Sequence, residues 1–337
     1  MSRVQALGSD SLLQIANLEV HKRSKGATVP VLRDVNLHLL PGESLGIVGE
    51  SGSGKSMMLR AIMRQLPDTF ESQGSILFEG NDLSLLSRRE LANIRSKKIG
   101  MIYQDPRAHI NPMWKISDFL TEGVISSKLL SRREALKRAE ELLLEVGIRD
   151  PKRRLSQYPG QLSGGLLQRV MIVAALMPEP TLLLADEPTT ALDVTVQAEV
   201  MSIFRDITQR HQVGLILITH DLDLAAATTD KLAVMYAGEI LESGDSTRVV
   251  AAPKHPYTAA LLAAKPDIQI KQLPKPIPGR PATAAEAGDA CIFADRCAFV
   301  RDECREHAPL LAKTPDGGMT ACMRYESIEP LLRRGSL

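Results

Sequence analysis

Gly49-Glu50-Ser51-Gly52-Ser53-Gly54-Lys55-Ser56 fits the pattern G-x-x-x-x-G-K-[ST], in which a glycine-rich loop turns backbone N–H groups toward the phosphates of a nucleotide. Lys55 would add a positive charge to that cradle, and the Ser56 hydroxyl could ligate Mg²⁺. The flanks supply what this chemistry needs. The apolar run 45–48 reads as a buried strand and 55–66 as a helix, so the phosphates would meet a helix N-terminus. A second group ends the apolar run 181–185 with Asp186 and Glu187, which suits a metal-organising acid followed by one that polarises water. An apolar strand ending in two acids is common by itself and gains meaning from the phosphate loop. Ser163, Gly164 and Gly165 open an apolar helix-forming stretch and would offer a hydroxyl and two N–H groups to an anion. His220 closes another apolar run, 214–219. A lone histidine is more often a satisfied core residue, but the end of a strand is where α/β sheets place their chemistry.

These residues need a sheet to hold them. Residues 12–20 and 31–39 alternate apolar with polar positions, predicting two half-buried strands separated by a turn containing Lys, Gly and Pro, an antiparallel start. Further strands are expected over 99–103, 181–185 and 214–219, giving a mixed sheet with a parallel core. Helical periodicity dominates about 107–178, a helical subdomain. Within it Ser131-Arg-Arg-Glu134 is a capping-box pattern opening a helix that runs to about Val146. Beyond about 250 the composition shifts. Pro266, Pro274, Pro276, Pro278 and Pro281 break any long helix, and every cysteine follows them. The fold class expected is therefore α/β, a P-loop nucleotide-binding domain over 1–250 followed by a linker and small cysteine-containing extension over 251–337. No internal repeat or heptad run argues for a solenoid or coiled coil.

The 41 Lys and Arg against 40 Asp and Glu leave a net charge of +1 over 337 residues, which gives no pull toward nucleic acid. The longest apolar runs are far short of the ~20 residues that cross a bilayer. Residues 1–10 carry no signal-peptide core and read as a short loose tail, so a cytoplasmic chain is expected. In a reducing compartment Cys291, Cys297, Cys304 and Cys322 point to metal or cluster ligation rather than disulfides. Their spacing is C-x₅-C-x₆-C-x₁₇-C, looser than the paired C-x₂-C of zinc ribbons. Four soft thiolates could hold [4Fe–4S] or Zn²⁺, or remain thiols.

The run Leu162-Ser163-Gly164-Gly165-Leu166-Leu167-Gln168-Arg169, beside the loop and the acid pair, resembles the signature of the ABC ATPase family. The resemblance extends to Gln104 in Tyr-Gln-Asp-Pro, to Ala191-Leu192-Asp193 and to His220 in Ile-Thr-His-Asp, and covers about 12–250. It implies that two nucleotide-binding domains sandwich two ATPs, each between the phosphate loop of one and the signature of the other. It also implies that Glu187 orients the attacking water, His220 contacts the γ-phosphate, Gln104 senses Mg²⁺ and nucleotide, and Asp193 sits near the dimer seam. One departure stands out. The family commonly stacks adenine on an aromatic near the end of the first strand, where this chain has His21, Lys22 and Arg23. His21 or an arginine could stack on the base instead.

His255-Pro-Tyr-Thr-Ala-Ala-Leu-Leu262, then Ile277-Pro-Gly279, then Cys-Ile-Phe-Ala-Asp-Arg-Cys, resembles the C-terminal extension of ATPases that serve oligopeptide, dipeptide and nickel importers. The relatives imply an iron–sulfur cluster, with zinc as the alternative. They also imply a homologous second ATPase subunit, two membrane permease subunits and an extracytoplasmic solute-binding protein, at the cytoplasmic face of the inner membrane. A mechanical ATPase of DNA repair would carry a long coiled coil between loop and signature, which only about 110 residues separate here. A metal-sensing interaction protein would not need Glu187 and His220.

Overall fold

The computed structural model describes residues 11–24, 26–190, 192–265 and 274–332. The tail expected over 1–10, Ala191 and Pro266 lie outside them. Contacts group the chain into two units interleaved along the sequence. One comprises Met1–Leu12, Leu39–Ser44 and Glu79–Leu217; the other comprises Leu13–His38, Leu45–Phe78 and Ile218–Leu337.

In the second unit both N-terminal strands form and run longer than their alternation suggested, Leu13–Ser24 and Ala27–Leu39. They are neighbours, and Leu13–Ser24 pairs antiparallel with Phe70–Phe78 on its other side. Pro30, read as part of the turn, lies inside the second strand. That strand is at the edge of its sheet, where a residue lacking an N–H is tolerated. The phosphate loop follows Ser44–Val48, a strand buried at every position, which pairs parallel with Lys231–Tyr236 from Leu45↔Lys231 to Val48↔Val234. The helix after the loop is Lys55–Ile62, shorter than the expected 55–66. Arg64 turns to φ 51, and Pro67 disfavours a helical Leu66.

The extension packs directly on the strands of this unit. Lys231–Tyr236 pairs antiparallel with Glu239–Asp245, which in turn pairs with Met319–Thr320, and that strand with Ala312–Lys313. Tyr257 and Phe293, both from beyond residue 250, share one buried cluster with Val48, Val234 and Tyr236. The ring of Phe293 meets Tyr236 edge-on at 5.5 Å and Tyr257 at 5.2 Å. The extension thus takes its core from the strands that carry the phosphate loop.

In the first unit Ile99–Ile102 pairs parallel with Leu182–Asp186. Helices Ile116–Ser126, Arg132–Glu145, Pro151–Leu155 and Gly164–Leu176 occupy the stretch between them. Arg132–Glu145 begins at the expected capping box: the Ser131 hydroxyl accepts from Glu134 N–H, and the Glu134 carboxylate accepts from Ser131 N–H at 2.9 Å. Val146 caps its end. The strand Gly214–Thr219 is buried throughout. Among the described residues no helix is long and apolar enough to cross a membrane.

Candidate nucleotide site

Gly49 leaves its strand so close to the next that a Cβ would lie 2.0 Å from the Met235 carbonyl oxygen, so the loop can start only on glycine. Lys55 begins the helix and is 5% exposed. Its ammonium donates to the Gly49 carbonyl at 2.8 Å, the Glu50 carbonyl at 2.9 Å and the Ser53 hydroxyl at 3.4 Å. A buried cation held by carbonyls beside a helix N-terminus gives this turn a positive character, with Ser56 on the same first turn. Ser51 and Gly52 are exposed at the loop's tip. The Glu50 N–H donates to the Tyr257 hydroxyl at 3.0 Å, and the Glu50 carboxylate accepts from Arg296. Tyr257 and Arg296 lie in the motifs that mark the extension, but nothing local marks a residue 200 positions away as a partner of the loop.

In the other unit, Asp186 and Glu187 end a strand whose preceding four residues are buried. Glu187 has φ 45, a left-handed backbone that costs a non-glycine residue about 1 kcal/mol and clusters at functional sites. Its carboxylate accepts from the Thr190 hydroxyl at 2.9 Å and the Gln104 amide at 3.4 Å, so the structure brings Gln104 and Glu187 together. Ser163 caps Gly164–Leu176 by accepting from Leu166 N–H, and Asp193 caps Val194–His211 by accepting from Val196 N–H. The two helix starts pack closely: a Cβ on Gly165 would sit 2.7 Å from a Val196 methyl. His220 is exposed just past Gly214–Thr219, in the unit that holds the phosphate loop.

At the end of the first strand His21 faces Glu71 and Lys22 faces Phe70 in the antiparallel register. The Lys22 ammonium lies 6.0 Å from the centre of the Phe70 ring. A half-buried aromatic thus lies opposite the end of the first strand, a pairing invisible along a single segment.

The four cysteines, none of them in a disulfide, line one cavity of about 20 Å³ together with His255, Phe293 and Phe299. Burial first, and the neighbouring thiols second, push Cys291 up to about 12 and Cys322 up to about 11. The donor type and the convergence suit a thiolate-held metal or cluster. Among the described residues no group of three or more His, Cys, Asp or Glu is arranged to hold a single metal ion.

The family model described as "ABC transporter" matches residues 32–190, and that described as "Oligopeptide/dipeptide transporter, C-terminal region" matches 241–304. The chain is 43% identical over 309 residues to the oligopeptide transport ATP-binding protein OppD of Bacillus subtilis, covering 90% of this chain and 86% of that protein. It is 41% identical to a probable peptide ABC transporter ATP-binding protein of Sinorhizobium fredii, covering 95% and 97%. Among solved structures it resembles an ATP-binding cassette in a dimeric post-hydrolysis state bound to ADP and Pi, at 28% identity and a TM-score of 0.62, covering 69% of this chain and 98% of that one. The chain belongs to the ABC-transporter ATP-binding family, among those members that carry the oligopeptide/dipeptide transporter C-terminal region.

Proposed function

We propose that this chain is the ATP-hydrolysing subunit that powers an ABC importer of di- or oligopeptides. One observation carries the chemical half of the reading: Glu187, just past an apolar strand and in a left-handed backbone, has its carboxylate held by Gln104 and Thr190. In this reading the loop 49–56 binds the phosphates, Ser56, Asp186 and Gln104 surround Mg²⁺, Glu187 orients water, and His220 meets the γ-phosphate. Ser163, Gly164 and Gly165, exposed or half-exposed at a helix N-terminus, are offered to the nucleotide of a second ATPase subunit, with Asp193 near that seam. Phe70 joins His21 as a candidate surface for adenine.

The peptide cargo is supported by the relatives' names and by the match over 241–304. The division into a nucleotide-binding domain over 1–250, with its helical subdomain near 107–178, and an extension over 251–337 belongs to the same proposal. So do a homologous ATPase partner, two permease subunits and an attachment at the inner face of the cell membrane. The finer reading of the cysteines, a [4Fe–4S] centre or Zn²⁺, rests on donor type and convergence. Iron and zinc analysis of anaerobically purified protein decides between a metal centre and four protonated thiols.

The cargo is tested by reconstituting the complex in proteoliposomes and following ATP-dependent uptake of a labelled tripeptide against labelled nickel. Peptide uptake supports the reading. Nickel uptake alone moves the chain to the nickel branch of the subfamily, and ATP hydrolysis with neither cargo removes the peptide assignment.

A further inference from the structure

Arg296 is 8% exposed, and every nitrogen of its guanidinium has a partner. Two prongs grip the Glu50 carboxylate, Nη1 at 2.6 Å and Nη2 at 3.0 Å. Nε donates to the Pro278 carbonyl at 2.8 Å, and Nη1 also reaches the Tyr236 hydroxyl at 3.3 Å. The cation lies 5.7 Å from the centre of the Tyr236 ring. Its position is thus over-determined by the extension and by the strand Lys231–Tyr236, and the fork geometry is one that lysine cannot reproduce.

Glu50 is the second residue of the phosphate loop. Its carbonyl accepts from the Lys55 ammonium at 2.9 Å and from Ser53 N–H at 3.2 Å. Its N–H donates to Tyr257, another residue of the extension, at 3.0 Å. Its side chain meets Arg296. The residue that helps hold the phosphate-binding lysine is therefore itself held, at backbone and side chain, from beyond residue 250.

There is a second consequence. A loop meant to surround a polyphosphate carries an acid, whose charge opposes the ligand unless it is neutralised nearby. We infer that Arg296 is a positioning residue for ATP binding: it neutralises Glu50 and fixes the loop backbone, making the cysteine-bearing extension part of what sets ATP affinity. The inference rests on the reading of 49–56 as the ATP-binding loop.

Steady-state ATPase assays on the assembled transporter, with ATP varied, separate this role from a general structural one. Arg296→Met is expected to raise KM for ATP about 10-fold while kcat at saturation stays within about twofold. Adding Glu50→Gln to Arg296→Met removes the uncompensated acid and is expected to return KM most of the way. A merely structural arginine would show no such rescue. Arg296→Lys keeps the charge and loses the fork, and is expected to raise KM about threefold. If Arg296→Met does not fold, the lysine variant carries the test, and an unchanged KM there overturns the inference. A KM within about twofold of wild type in folded Arg296→Met, or a double variant no better than the single, overturns it too. Wild-type complex that neither binds nor hydrolyses ATP would instead overturn the nucleotide reading itself.

Discussion

The phosphate loop and the cysteine-bearing segment belong to one unit and touch through Glu50 and Arg296, yet they are built in opposite ways. The loop is local. A buried strand, glycines that permit close approach and a lysine on the first helical turn set its course, with Tyr257 and Arg296 adding a hold on Glu50 from far along the chain, and the groups it presents are largely backbone amides. The cysteine segment is non-local. Residues 291–322 have only short elements of their own and are held by Phe293 in a shared core, by Arg296 on the loop and by Met319–Thr320 paired with Glu239–Asp245. An anion site made largely of backbone amides can be written in a short motif, whereas a thiol cavity lined by residues from 255 to 328 exists only once those separate segments have come together.

The chemistry of the acid pair is the sharpest contrast with the cysteines. Glu187→Gln is expected to lower kcat by about 100-fold or more while leaving ATP binding intact, because it removes the carboxylate proposed to polarise water and spares the loop 49–56. Turnover within about twofold of wild type would remove Glu187 from its role. By the same contrast Cys297→Ser is expected to leave the nucleotide chemistry of Lys55 and Glu187 in place.

Next in size is the shared core. Phe293 is 2% exposed against Tyr236 and Tyr257, so Phe293→Ala is expected to cost about 3–5 kcal/mol in denaturant unfolding. If the extension folded by itself, that variant would lose protease protection only beyond residue 250. A shared core predicts that the strands carrying the phosphate loop loosen as well, which hydrogen exchange at Lys231–Tyr236 reads directly.

The smallest expected effect concerns pH. Glu242, buried in the strand that receives Met319–Thr320, accepts from the Lys254 and His255 N–H groups at 2.7 and 3.0 Å, and burial raises its carboxyl to about 7. The folded protein therefore keeps a proton that the unfolded chain releases above its ordinary value of 4.5. The contribution to stability is full below about 4.5 and is lost as pH rises through about 7. Buried His255, lowered to about 3 by burial, gives the opposite slope below about 6.5, so the Glu242 share is read by difference: from pH 5 to 7.5 Glu242→Gln should lose less stability than wild type does. An unchanged slope would show that other groups set it.

The legible parts of the fold are those with local causes. The Ser131 to Glu134 capping box and the strands ending at Asp186 and Thr219 were each readable because a side chain answers its own neighbours or a short apolar run is bracketed by polar residues. Gln104, Glu187 and the loop were legible as residue types in order, although the hydrogen bond from Gln104 to Glu187 was not. Phe70 opposite Lys22, Tyr257 on the Glu50 N–H and Arg296 on the Glu50 carboxylate depend on register and packing between segments far apart in sequence, and no periodicity encodes those.

The central claim is that this chain hydrolyses ATP as half of a composite site, with its own loop and Glu187 completed by Ser163-Gly164-Gly165 from a second ATPase subunit. The direct measurement is ATP turnover per chain, for the isolated protein across dilution and for the assembled complex with the second ATPase subunit and both permease subunits. The account predicts a low rate that falls further on dilution and rises at least about 10-fold in the complex. Full-rate hydrolysis by a verified monomer, independent of concentration, would contradict it.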